Sequence, residues 1–224
     1  MVRHHQHNWV VSPGTTPTPF DCRILEMQEK GFIVPTNRLV KTPEQIEGIR
    51  RAGVINTGIL DMLTTEIREG MTTGEIDRLV AQYTADHGAI SACLGYEGFP
   101  KSCCTSINEV VCHGIPSDEE ELFDGDIINV DVTTIKDGYY ADASRMFMIG
   151  NVDPKVKRLV EVTKECLEIG MKAAQPWGFV GDIGKAIGKY ALEHGYSVVR
   201  ELAGHGTGLE FYEDPIVDHY DTRH

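Results

Sequence analysis

The chain has 224 residues, 41% of them hydrophobic and 25% charged, with a formal net charge of −13. That length allows one large domain or two small ones with a real core, and the acidic balance excludes a general nucleic-acid surface, which needs a basic field. No apolar run could span a bilayer, no signal-peptide core opens the chain, and the six cysteines (Cys22, Cys93, Cys103, Cys104, Cys112, Cys166) form no CxxC pair or disulfide-scaffold spacing, so a reduced, cytoplasmic protein is expected.

Residues 1–41 read as a flexible extension. Pro13, Pro17, Pro19 and Pro35 are helix breakers, and His4, His5 and His7 suit a mobile tail or tag remnant better than a metal site. The ordered domain, 42–224, is expected to open at Thr42-Pro43 with a helix that carries Ile46, Ile49, Val54 and Leu60.

An internal repeat follows. Residues 72–91, TTGEIDRLVAQYTADHGAIS, align without gaps on 179–198, FVGDIGKAIGKYALEHGYSV, through Gly74/Gly181, Ile76/Ile183, Tyr83/Tyr190 and His87-Gly88/His194-Gly195. Each copy reads as an amphipathic helix that stops at a glycine and runs into a strand. The helix from Pro43 has a counterpart from Pro154, so two helix–helix–strand halves sharing one sheet are expected. After the matched helix the first half runs 59 residues, Ala92–Gly150, and the second 26, Val199–His224. The second half is therefore expected to be incomplete.

Between the two helix pairs, IINVDVTTIKDGYYADASRMF reads as a β-hairpin. Ile128, Val130 and Val132 alternate, and Asp137-Gly138 is a preferred filling of a two-residue type I′ turn. Counting from that turn sets Lys136 opposite Tyr139 and Asp131 opposite Ser144. Asp131 and Asp142 then share one face as diagonal neighbours, roughly 7–8 Å apart at the backbone. Two such carboxylates repel each other and lose hydration, so a cation is expected between them.

Two histidines join the pair. His113, in Asn108–Pro116, is expected at the end of an apolar strand before a Gly-x-Pro turn, and His205 in the glycine-rich GHGTG loop, where backbone can approach a ligand. Two carboxylates with imidazole form a donor set suited to Mn, Fe, Co or Zn. Cys103-Cys104 reads as a pair of small buried thiols rather than a nucleophile. A Ser/His/Asp triad through Ser144 or Ser106 lacks a Gly-x-Ser-x-Gly elbow, and Gly204-x-Gly206-x-Gly208 has neither dinucleotide nor P-loop spacing.

FPKSCCTSINEVVCHGIP, GDIINVDVTTIKDGYYADASRMF and SVVRELAGHGTG closely resemble the type I methionine aminopeptidases, over about residues 42–222. The resemblance implies an α+β pita-bread fold of two pseudo-symmetric halves around a mostly antiparallel sheet. It implies removal of the initiator methionine from nascent chains with a small second residue, by a metal-bound hydroxide. Asp131, Asp142 and His205 would be metal ligands, and His113 the catalytic, substrate-side histidine. Cys93, Tyr96, Phe99 and Cys104 fall in the family's pocket segment. A monomeric cytoplasmic enzyme, with the ribosome as a possible partner and no membrane or nucleic-acid specificity, completes the expectation.

Three departures qualify it. The family's two later glutamate ligands have no counterpart in these 224 residues. Two divalent ions carry +4 against −2 from Asp131 and Asp142, so one ion is expected rather than two, with impaired activity. Tyr212 stands where a second substrate-side histidine is usual; it can donate a hydrogen bond but is a poor general base. Trp177, in QPWG, replaces a usual Lys-Pro-Gly turn. The alternative is a non-catalytic pita-bread protein that binds peptide or ribosome; a proline-specific peptidase is disfavoured by VVCHGIP and GHGTG.

Overall fold

The computed structural model describes residues 8–222. The chain divides into two compact units, Met1–Ile46 and Glu47–His224. Among the described residues no helix is long and apolar enough to cross a membrane.

The first unit has more local structure than its prolines suggested. Pro19 begins helix α1 (Pro19–Glu29) instead of breaking it, because the first helical position needs no N–H donor. Thr18 caps this helix reciprocally with Asp21. Trp9 is buried with Ile24 and Val34, and its indole N–H donates to Asp21 Oδ1 at 2.8 Å. The histidines His4, His5 and His7 lie outside the described residues.

The second unit opens within helix α2 (Pro43–Glu66). Ala52, Ile55, Asn56, Ile59, Leu60 and Leu63 form its buried stripe, at the three-and-four spacing of a core-facing helix. Helix α3 (Thr73–Asp86) is capped by Thr72 and Glu75 and buries Ile76 and Val80. Strands β1 (Ile90–Ser91) and β2 (Cys104–Ile107) both pair antiparallel with one side of β3 (Ile127–Lys136), and β4 (Tyr139–Met148) pairs with the other. Ile128, Val130 and Val132 of β3 meet Ile59, Leu63, Ile76 and Val80 in the main core. Burying one such side chain stabilises by roughly 1.5–3 kcal/mol, so this helix-on-sheet contact holds the hairpin's back face.

Helices α4 (Pro154–Ala173) and α5 (Val180–Glu193) follow, then β5 (Gly204–Gly206) paired with β6 (Glu213–Val217). The repeat is visible in detail. α3 and α5 are both 14 residues long, and each ends on a histidine (His87, His194) whose Nδ1 lies 2.8 Å from the carbonyl oxygen of Tyr83 or Tyr190. A left-handed glycine follows each, Gly88 at φ 61° and Gly195 at φ 80°. The copies then diverge. Gly88 leads into β1, which β3 accepts at Ile135 and Thr134, whereas residues 196–203 form no strand. The sheet comprises a four-stranded part and the β5–β6 pair, linked where Tyr140 N–H donates to Gly208 O at 2.8 Å.

Candidate metal centre

The hairpin turn has the geometry that Asp-Gly favours, with φ of 51° at Asp137 and 83° at Gly138. The register follows from it: Lys136 faces Tyr139, Asp131 faces Ser144, and Thr133 faces Asp142. Alternation turns Asp131, Thr133 and Asp142 to one face while Val132, Thr134 and Ala141 turn to the α2 side.

On the carboxylate face, Asp131 and Asp142 share a hydrogen bond, and Thr133 Oγ1 donates to Asp142 Oδ1 at 3.0 Å. Burial, then the charge of Asp142 and the shared hydrogen bond, push the Asp131 carboxyl up to about 7; His205 opposes this. Asp142 is also raised, chiefly by burial, against the Thr133 hydrogen bond and His205. The pair therefore retains a proton near neutrality, and that proton supplies positive charge between two buried acids.

His205 comes from β5, with Nε2 3.5 Å from Asp142 Oδ2. Its Nδ1 lies 2.8 Å from Gly206 O. A carbonyl can only accept, so Nδ1 carries a hydrogen, which leaves Nε2 as the nitrogen facing the carboxylates and the one a metal would take. The flanking glycine serves chain packing rather than ligand approach: a Cβ on Gly206 would stand 2.4 Å from Asp214 O of β6.

Of the residues expected to form a pocket, Cys93, Cys104, Tyr96 and Tyr212 lie beside this cluster, and Phe99 adjoins Tyr96. Cys93 and Cys104 are buried, and Cys104 sits opposite Asp131 across β2–β3. The hydrogen bond from Cys104 to Cys93, then burial, raises the Cys104 thiol well above its ordinary range. Cys103 is likewise raised, chiefly by burial, so neither behaves as an activated nucleophile. The Tyr212 ring stands 4.3 Å from His205 and 5.7 Å from Tyr96. Burial, then the Asp142 charge, push its phenol up to about 12 and keep it neutral. Phe99 closes a tight turn on Tyr96, its N–H donating to Tyr96 O at 2.8 Å.

His113 is placed otherwise than expected. Residues 108–113 form no strand; β2 ends at Ile107 and His113 is exposed in a loop at φ 57°. Asn108 causes the break: at φ 51° it donates from Nδ2 to Asp126 Oδ1 at 2.8 Å and accepts Ile127 N–H at 3.1 Å, replacing ladder bonds with side-chain bonds. Gly114 then returns the chain to β2, its carbonyl accepting from Thr105 N–H at 2.9 Å. Among the described residues, no hydrogen bond or ring contact ties His113 to the carboxylate pair.

Two contributors escaped the sequence. Thr133 faces Asp142, and extending the hairpin count by two residues from Asp131 is the signal that could have found it. Phe211 stacks on Tyr212 with centroids 4.5 Å apart and lies 4.7 Å from Tyr96; its only signal was adjacency to Tyr212. Among the described residues no three His, Cys, Asp or Glu side chains enclose a single point; the three donors are joined in pairs.

A family model described as metallopeptidase family M24 matches residues 47–224. The chain belongs to metallopeptidase family M24. It is 48% identical over 185 residues to the methionine aminopeptidase of Escherichia coli strain K12, covering 82% of this chain and 70% of that one. To methionine aminopeptidase A of Synechocystis it is 51% identical over 176 residues, covering 79% and 70%. The crystal structure of methionine aminopeptidase from Rickettsia prowazekii superposes with a TM-score of 0.79 at 45% identity, covering 81% of this chain and 73% of that one. A prolidase from Pyrococcus furiosus, at 22% identity and TM-score 0.70, covers 93% of this chain and 62% of its own and shares the fold alone. The M24 chain thus has the pita-bread fold and stands, as a metalloexopeptidase, in the methionine aminopeptidase line.

Proposed function

We propose that this M24 chain removes N-terminal methionine from nascent peptides whose second residue is small, using a divalent cation held by Asp131, Asp142 and His205. The observation that carries this is the placement of two buried carboxyls on one face of the hairpin beside an imidazole whose Nε2 lies 3.5 Å from Asp142 Oδ2. Such a donor set accepts Mn, Fe, Co or Zn in place of the proton. A cation there lowers the pKa of water and polarises a carbonyl. The chain's own groups do the rest. Thr133 orients Asp142, and Gly206 O fixes the His205 tautomer. Cys93, Tyr96, Phe99 and Cys104 offer an apolar, polarisable wall suited to a thioether. Tyr212 can donate to substrate but, held neutral, does not take a proton. His113 is assigned the substrate-side role on resemblance.

Two carboxylates balance one divalent ion, and no further acid approaches the pair among the described residues. One ion and weak turnover are therefore proposed for a polypeptide of these residues. Tyr212, a neutral phenol that takes no proton, favours as a second reading a peptide-binding protein without turnover. Six free cysteines support a reducing, cytoplasmic setting.

The test is a Met-Ala-Ser peptide incubated with the purified chain and Mn(II) or Co(II), with free methionine measured by mass spectrometry. Slow, metal-dependent release that Asp142→Asn abolishes is expected. Release that persists in that variant would refute the site. Peptide binding without any release would support the second reading.

A further inference from the structure

Asn56 is an anomaly on the apolar stripe of α2. It is 2% exposed and shares its face with Ala52, Ile59 and Leu63. A leucine there would fill the stripe without desolvating an amide, which is costly unless fully hydrogen-bonded. The compensation Asn56 finds is specific. Its Nδ2 donates to Val132 O at 2.7 Å and Thr134 Oγ1 at 3.1 Å, and lies 3.3 Å from Ala141 O.

Those partners span the hairpin beneath its carboxylates. Val132 follows Asp131 on β3, Ala141 precedes Asp142 on β4, and Thr134 faces Ala141 across the ladder. One amide group on the helix side therefore touches both strands at the level where the two acids project from the other side.

The turn alone does not fix how far apart those acids sit. A two-residue loop sets register, but the twist between neighbouring strands varies over tens of degrees and is largest in two-stranded ribbons. On its outer edge, β4 is held among the described backbone bonds by Tyr140 N–H to Gly208 O. Twist changes would swing Asp142 relative to Asp131, and sub-ångström placement matters for a metal site.

We infer that Asn56 is a positioning residue for the metal centre, tying Val132 and Ala141 from behind so that Asp131 and Asp142 converge. This rests on the proposed assignment of those two aspartates as ligands. A buried amide that merely satisfies a core would contribute to stability and leave metal affinity unchanged.

The experiment is Mn(II) titration followed by electron paramagnetic resonance, on the full chain and on Asn56→Ala, Thr134→Val, Leu63→Ala and Asp142→Asn, each checked for fold by circular dichroism. Leu63 lies two helical turns from Asn56 on the same buried stripe and serves as the control for lost core packing. Asn56→Ala is expected to weaken Mn(II) binding about tenfold, the low end of what loss of an outer-shell partner does. Thr134→Val, which removes one acceptor and is the fallback should Asn56→Ala not fold, is expected to weaken it about threefold, a smaller outer-shell loss. Leu63→Ala should lower thermal stability yet leave affinity within about twofold, since it removes packing and no outer-shell partner. Unchanged affinity in folded Asn56→Ala, or in Thr134→Val where it is the fallback, or equal weakening in Leu63→Ala, overturns the inference. Mn(II) binding that survives Asp142→Asn overturns instead the ligand assignment on which it stands.

Discussion

Asp131→Asn should make the metal-free protein more stable at pH 8 while destroying the metal site. The substitution keeps the side-chain shape, and its amide can donate to Asp142 much as the shared proton does. What it removes is an ionisation the fold opposes, since burial and the Asp142 charge push the Asp131 carboxyl up to about 7 from an ordinary 3.8. A carboxyl raised by folding binds its proton more tightly in the native state. Its contribution is fully present below about pH 4 and is lost as pH rises through about 7. The interval from 3.8 to about 7 corresponds to about 4 kcal/mol of penalty by pH 8, and to about 1.5 kcal/mol at pH 5, where the native carboxyl is still protonated. Asparagine carries neither. Urea unfolding in EDTA, followed by circular dichroism at pH 5 and pH 8, should therefore show the variant's advantage growing by about 2 to 3 kcal/mol between the two conditions. Saturating Mn(II) should then stabilise the wild type by about 2.7 kcal/mol at a hundredfold excess over Kd, and the variant far less. An advantage that is the same at both pH values, or a wild type more stable at pH 8 without metal, would refute the strained carboxyl pair.

Metal binding should displace the shared proton. Below about pH 7, Mn(II) affinity is expected to fall about tenfold per pH unit, and above that to level off. Calorimetry in buffers of different ionisation enthalpy should report about one proton released per ion near pH 6; no released proton would contradict the shared-proton arrangement. Gly114→Ala should destabilise by about 3 kcal/mol, because the new Cβ would stand 1.8 Å from Thr105 O, a backbone atom that cannot move aside without breaking the β2 edge. A urea midpoint unchanged from wild type would show that the loop carrying His113 is free to lift away.

The parts of the fold legible in the sequence were those with few degrees of freedom. A two-residue Asp-Gly turn leaves one register, so counting residues from it pairs Asp131 with Ser144, the pairing the structure has. The repeat was legible because a helix ending in Tyr-x-x-x-His-Gly stops in one way: ring beside ring, at 4.1 Å for Tyr83–His87 and 4.0 Å for Tyr190–His194. Pro19 and Asn108 show where that legibility ended. Each residue has two roles set by its neighbours. Thr18 and Asp21 make Pro19 a helix start, and Asp126, eighteen residues away, captures the Asn108 side chain and ends β2 where apolar alternation suggested more strand. Val111, 66% exposed, shows that the alternation carried no burial.

The candidate site divides along the same line, with a consequence for how its residues should be weighed. Asp131, Asp142 and His205 were legible as chemical types in turn-bounded segments, and the structure brings them into pairwise contact. Asn56 was not, because nothing in AGVINTGIL distinguishes an amide buried on the core stripe from one at its polar margin. Only the meeting of α2 with both hairpin strands makes it informative. The carboxylates need a cation for electrostatic reasons that a sequence can show. How closely they can share one depends on strand twist, which is set from the opposite face by a residue 75 positions from Asp131 and 86 from Asp142. Affinity for the ion is thus expected to depend on the sheet's back as well as its front. Substitutions confined to the three donor side chains would sample only half of that control.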